Sequence, residues 1–233
     1  MVFLAFGNNV LVHTIDTSGG EETYPIFFIS DTHNRRIHSS VIERIKGNVN
    51  CIIIGGDFVD HRTSLQKIEE NLNKLTAVAP TYFVWGNNDL EIPKDQFLPL
   101  LAKYNVQVIC NDSVLIHNGN NKIRLCAIDF NGTGEMVEQS IKHCKEDEHI
   151  IFVSHDPNCF KKVLDYITPL VLLGGHIHGG QIRLGPFGLF EKGSFGSNFG
   201  THQLISNGYG TTLLPLRLGA KAQCHIIQIH FQK

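Results

Sequence analysis

The chain has 233 residues, 42% hydrophobic and 18% charged, which is enough to bury a substantial core and carries no compositional sign of disorder. A formal net charge of −2 gives no basic footprint for nucleic acid, and no run of like charge stands out. Residues 1–6 are apolar but lack a positive lead-in and stop at Gly7, Asn8 and Asn9. That is too short for a signal-peptide core, and no later stretch reaches about 18 uninterrupted apolar residues. One soluble, cytoplasmic domain over residues 1–233 is expected, with peripheral membrane contact left open and no oligomeric state specified. Cys51, Cys110, Cys126, Cys144, Cys159 and Cys224 form no C-x-x-C pair and read as reduced, mostly buried thiols.

Val10 to Asp16 and Pro25 to Ser30 read as the first two strands, parted by a turn at Gly19 and Gly20. Ile37, Val41, Ile42 and Ile45 have helical spacing that ends at Gly47, and Cys51 to Ile54 is an apolar run suited to a strand buried on both faces. Ser64 is placed to cap a helix carrying Leu65, Ile68, Leu72 and Leu75, with Glu70 and Lys74 as an i,i+4 pair. Thr81 to Trp85 predicts a strand and Asp95 to Tyr104 a helix, so the first part alternates strand and helix as α/β layers do. Val106 to Ile109, Val114 to His117 and Lys122 to Ile128 follow without helices between them and predict a second, more antiparallel sheet. Glu135 to Cys144 and Phe160 to Tyr166 read as helices. Ile150 to Ser154, Leu170 to Leu173, Gln181 to Leu184, His202 to Ser206 and Gln223 to Phe231 read as strands.

Chemistry-bearing residues fall just after these strands, in Ser30-Asp31-Thr32-His33, Gly55-Gly56-Asp57-Phe58-Val59-Asp60, Gly86-Asn87-Asn88-Asp89, Ser154-His155-Asp156 and Gly174-Gly175-His176-Ile177-His178-Gly179-Gly180. In an open α/β sheet, loops beyond the carboxyl ends of the strands converge on one edge. Asp31, His33, Asp57, Asn87, His155, His176 and His178 then form a mixed N/O set suited to two divalent transition metals. Asp31, His33 and His178 fit one metal, Asn87, His155 and His176 the other, and Asp57 can bridge both. Oxygen and imidazole donors fit manganese, iron, zinc or nickel alike. Two such cations about 3.5–4 Å apart would turn a bridging water into a hydroxide near neutral pH and draw in an anionic phosphate ester. Asp89 reads as structural, bonding loop N–H groups.

The ordered motifs resemble those of the calcineurin-like metallophosphoesterase superfamily, D-x-H, G-D-x-x-D, G-N-H-[DE], a lone H and G-H-x-H. The stretches Ser154 to Pro157, Gly180-Gln181 and Gly210 to Arg217 are similar to its small bacterial phosphodiesterase-like proteins, many of them membrane-anchored. The resemblance covers nearly the whole chain and implies a two-sheet, four-layer αββα sandwich with a dinuclear site that hydrolyses a small phosphoester, diester over monoester. It also implies a histidine where this chain has Asn88, one that would protonate the leaving oxygen with the aid of an aspartate at Asp60. An amide cannot act as a general acid near neutral pH.

Three readings follow: substrates with good leaving groups, a proton supplied by another histidine such as His61, or metal and phosphate binding with little turnover. A phosphomonoesterase is the alternative enzyme. His13, His38, His117, His143, His149, His202, His225 and His230 read as surface or packing residues. Arg35, Arg62 and Arg183 lie near the motifs and could meet a phosphate, though solvated side chains serve as well. The loop Leu184 to Phe190, with Phe195 and Phe199, is apolar enough to shape a substrate pocket or touch a membrane. Packing beneath the loop is the reading favoured.

Overall fold

The computed structural model describes residues 2–185, 187–198 and 200–233, with Val2, Phe3 and Leu184 described by their backbone alone. In chain order the elements are α1 (Val2–Ala5), β1 (Asn9–Ser18), β2 (Thr23–Ile29), α2 (Ser39–Ile45), β3 (Cys51–Gly55), α3 (Leu65–Thr76), β4 (Thr81–Val84), α4 (Lys94–Lys103), β5 (Gln107–Val108), β6 (Asp112–Asn118), β7 (Asn121–Ile128), α5 (Gly134–Ile141) and β8 (His149–Ser154). They continue as α6 (Phe160–Leu164), β9 (Val171–Gly174), β10 (Arg183–Leu184), β11 (Phe187–Gly188), β12 (Ser194–Asn198), β13 (Thr201–Ile205) and β14 (Gln223–Gln232). One six-stranded sheet runs β1-β14-β2-β3-β4-β5, the other β12-β13-β9-β8-β7-β6, and β10 with β11 forms a separate ribbon.

Strand pleating sorts the side chains into layers, because successive residues point to opposite faces. In β2, Phe27 and Ile29 join the core shared with α2, α3 and α4, while Ile26 and Phe28 face the core between the sheets. In β8, Ile151 and Val153 face that inter-sheet core and Phe152 faces a third core under α5 and α6. Two sheets and two helical layers give the expected αββα sandwich. The cap on α3 forms as expected, with Ser64 Oγ accepting from Lys67 N–H at 3.3 Å. Ile68, Leu72 and Leu75 on its inner face are fully buried, each worth roughly 1.5–3 kcal/mol.

Three expectations need correction. The second sheet is mixed: β13–β9, β9–β8 and β8–β7 are parallel, and only β12–β13 and β7–β6 are antiparallel. The helices α5 and α6 provide the crossovers that the short spacing before β7 concealed. Glu70 does not pair with Lys74, because Arg36 Nε donates to its carboxylate at 2.6 Å and Lys74 Nζ donates to the Ile37 carbonyl. Strand β12 was not predicted, since Ser194-Phe195-Gly196-Ser197-Asn198 has the composition of a loop; it pairs antiparallel with β13, the next strand in the chain. All six cysteines are free, with Cys110 exposed and Cys144 partly so. Among the described residues, no helix is long and apolar enough to cross a membrane.

Candidate metal centre

The loops after β2, β3, β4, β8 and β9 meet at one edge of the sandwich and bring the predicted residues together. Asp31, His33 and His178 direct ligand atoms to within 4.8 Å of one another, and Asp57, His155 and His176 do the same. The two groups adjoin. Asp57 Oδ2 lies 3.2 Å from His155 Nε2 and 3.9 Å from His33 Nε2, between the clusters. Asp31 Oδ1 lies 3.3 Å from His178 Nε2 and 4.0 Å from His155 Nε2. Asn87 lies beside Asp57 on the same cavity wall.

The backbone is bent to achieve this. Asp31, His33, Asp57, His176 and His178 all have φ between 48° and 68°, a left-handed conformation that costs a residue with a Cβ roughly 1–2 kcal/mol. Strain of that kind persists only where the surroundings impose it and is concentrated at functional sites. The flanking glycines make room: a Cβ on Gly56, itself at φ 86°, would stand 2.5 Å from His155 Nδ1.

Several contacts fix the side chains. Asp31 Oδ2 accepts from Ser30 Oγ at 2.5 Å, and Asp31 Oδ1 accepts from His176 N–H at 3.0 Å. His155 Nδ1 meets the Gly55 carbonyl at 2.8 Å, which turns Nε2 toward the clusters. Asp89 is fully buried and accepts from the backbone N–H groups of Asp57, Gly86 and Val59 at 2.8, 2.8 and 3.0 Å. It thereby joins the two loops that carry Asp57 and Asn87. Burial and the adjacent Asp57 charge push its carboxyl up to about 8.

The charge states divide: His33 and His178 are neutral, while His155 holds a proton against Asp57 and Asp31 that a bound cation would displace. Burial pushes His33 and His178 below the usual histidine range, which keeps both rings neutral and able to donate a lone pair. Burial opposes the charging of His155, but the Asp57 and Asp31 carboxylates outweigh it and raise the ring to about 10. Burial likewise opposes ionisation of Asp57, yet His155, His33 and the Asn88 N–H hold its carboxyl below the ordinary range. Asn87 Oδ1 is buried without a hydrogen-bond partner, as an unfilled ligand atom would be, and His155 Nε2 faces the Asp57 carboxylate. The N/O donor set fits two divalent transition cations.

The three residues expected in catalysis part company. Asn88 lines the cavity with Asp57, Asn87, His176 and His178. Its Nδ2 donates to Glu91 Oε1 at 2.7 Å, and its Oδ1 accepts from Asn87 Nδ2 at 2.9 Å. His61 is on the surface, its side chain 68% exposed, with Nδ1 2.6 Å from Glu91 Oε2; it touches Asn88 only through Glu91. Asp60 is buried behind His33, its Oδ2 3.6 Å from His33 Nδ1, and receives the Arg62 guanidinium and backbone N–H. Neither Asp60 nor His61 lines the cavity.

The nearby arginines are engaged elsewhere. Arg35 donates to the Ala5, Gly7 and Tyr209 carbonyls, and Arg183 to those of Gly179 and Phe190. A residue given no role by its sequence context is Arg217. It is fully buried and donates to the carbonyls of His178, Asn207, Gly208, Gly210 and Ala220, with Nη2 3.3 Å from His178 Nδ1. Burial lowers its guanidinium to about 10. The only sequence signal was its place at the end of the Gly210 to Arg217 stretch. Among the described side chains of the 184–190 loop, the three large apolar ones do not pack beneath it: Phe187, Leu189 and Phe190 are 78%, 89% and 57% exposed. Phe195 stacks between His13 and His202, while Pro186 and Phe199 lie outside the described residues.

The chain is similar to several known proteins. Protein YpbG of Bacillus subtilis is 36% identical over 98% of this chain and 90% of its own length. Phosphodiesterase YaeI of Escherichia coli is 25% identical over 88% of this chain and 82% of its own. The structure of a dimetal phosphatase from Danio rerio superposes with a TM-score of 0.54 at 12% identity, over 90% of this chain and 93% of that one. Two nucleotidase structures of the same fold are longer, and the chain spans about half of each. The family model described as calcineurin-like phosphoesterase matches residues 24–180, a span that holds all seven candidate ligands. The chain belongs to the calcineurin-like phosphoesterase family, whose members are metal-dependent phosphoester hydrolases.

Proposed function

We propose that the protein is a two-metal phosphodiesterase acting on small phosphoesters with good leaving groups. The observation that carries this reading is the left-handed backbone at five of the seven candidate ligands, strain that folding alone does not require. Asp31, His33 and His178 would hold one cation, Asn87, His155 and His176 the other, and Asp57 both. Bound there, two cations supply charge stabilisation for the phosphoryl group and activation of the attacking water.

The protein's own groups determine the rest. Asn88 offers its amide to a phosphate oxygen but has no proton to give a departing alkoxide. A missing general acid costs about 10²–10⁴-fold on poor leaving groups and little on those that leave as stable anions. His61 and Glu91 act on Asn88 by orienting it, and Asp60 with Arg62 steadies His33. The name of YaeI supports a diester substrate.

The replacement of an acid by Asn88 also favours a second reading, binding of metal and a phosphorylated ligand with little turnover. Bis-p-nitrophenyl and mono-p-nitrophenyl phosphate, each assayed with manganese, zinc, iron and nickel, decide between them. Diester hydrolysis that exceeds monoester hydrolysis and vanishes in Asp57→Ala is expected. Absence of turnover with every metal would leave the binding reading in its place.

A further inference from the structure

The cavity that ends at the candidate metal centre has a volume of about 480 Å³, and its outer wall is apolar. Ile182, Leu189, Phe190, Leu213 and Leu214 line it and are 44%, 89%, 57%, 84% and 60% exposed. Single exposed leucines need no explanation, whereas a group of them around one cavity marks a contact surface. No lysine or arginine lines the cavity among its described residues, so nothing there would hold a second anionic group. Gln181 and Thr212, polar residues of this outer wall, are bound to one another.

The apolar wall is held in place. Arg62 Nη1 donates to the Leu213 carbonyl at 3.0 Å, Gln181 Nε2 donates to the carbonyls of Thr212 and Leu214, and Arg183 donates to that of Phe190. Leu213 has φ 53° and Gln181 φ 48°, a conformation unfavourable for a bulky residue. A leucine both strained and exposed contributes nothing to the core. Its position is explained by something that covers it.

Resting on the phosphoesterase reading, we infer that the alcohol half of the substrate carries a long hydrocarbon body, which lies along Ile182, Leu189, Phe190, Leu213 and Leu214 while its phosphoryl group reaches the clusters. Continuity of the apolar wall with Asp57, Asn87, His176 and His178 in one cavity places headgroup and chain on one molecule. A nucleic-acid strand or polyphosphate finds no cationic contact on this wall.

Calorimetric titration of manganese-loaded protein with methyl-, butyl- and octylphosphonate tests this without turnover. Burial of a methylene is worth about fourfold in affinity, so the four that separate butyl from octyl give roughly 200-fold. The double variant Leu189→Ser with Leu213→Ser should reduce that ratio below about tenfold, and a melting curve checks that it folds. Equal affinity along the series, with bis-p-nitrophenyl phosphate still hydrolysed, would overturn the inference and leave the phosphoesterase reading standing. A chain-length effect seen only above the micelle-forming concentration, or only with phosphatidylcholine vesicles present, would assign the wall to a bilayer surface and also overturn it. No phosphonate binding together with no hydrolysis would remove both.

Discussion

Asp89→Asn tests how far the site depends on a residue that belongs to neither ligand cluster. Its two oxygens take three backbone N–H groups, those of Asp57, Gly86 and Val59. An amide must turn its NH2 toward at least one of them. The variant loses one charge-assisted hydrogen bond, about 1.5–3 kcal/mol, and leaves a buried N–H unpaired at about 1–3 kcal/mol, for a sum near 4 kcal/mol. A 233-residue fold has an unfolding entropy of about 0.5 kcal/mol/K, so the melting temperature should fall by roughly 8 °C. Loosening both loops should also weaken metal binding about 10–100-fold, as loss of a group supporting a ligand does. Differential scanning calorimetry with and without manganese gives both quantities. A shift under 2 °C with unchanged metal affinity would refute the account of Asp89.

Three further outcomes follow. Burial and neighbouring His13 hold His225 neutral, its ring lowered to about 3. The unfolded chain takes up a proton below its ordinary value of 6.5 that the fold refuses, so stability drops as pH falls, by about 2 kcal/mol between pH 6.5 and 5; urea midpoints of metal-free protein should show this, with a smaller drop in His225→Gln. Arg217→Lys replaces a planar five-donor fork by a point charge and should lower stability by about 4 kcal/mol while weakening metal binding at His178; a midpoint within 0.5 kcal/mol of wild type would contradict it. Asn88→His should raise hydrolysis of diesters with alkyl leaving groups by at least about tenfold and change p-nitrophenyl diesters little. Equal effects on both would show that no acid is missing.

The candidate ligands were legible because each sits beside its own glycine or strand end, so the local sequence carries both the donor and the turn that presents it. The layered fold was legible through apolar runs such as Cys51 to Ile54. Most of what escaped depends on residues distant in the chain. Asp60 meets His33 only after the loops fold, and Arg217 gathers carbonyls from three segments; β12 escaped for another reason, the loop-like composition of its own five residues. The exposure of Leu189 and Leu213 reverses what hydropathy implies. An apolar loop reads as buried unless a cavity gives it another use.

Two cation sites that share Asp57 at one end of the cavity, as proposed, would each hold an ion of their own. Equilibrium dialysis followed by elemental analysis should give two manganese ions per wild-type chain and one per chain in His155→Ala and in His178→Ala, with each variant still folded. One ion or none in the wild type, or loss of both from either single variant, would contradict two separately held sites.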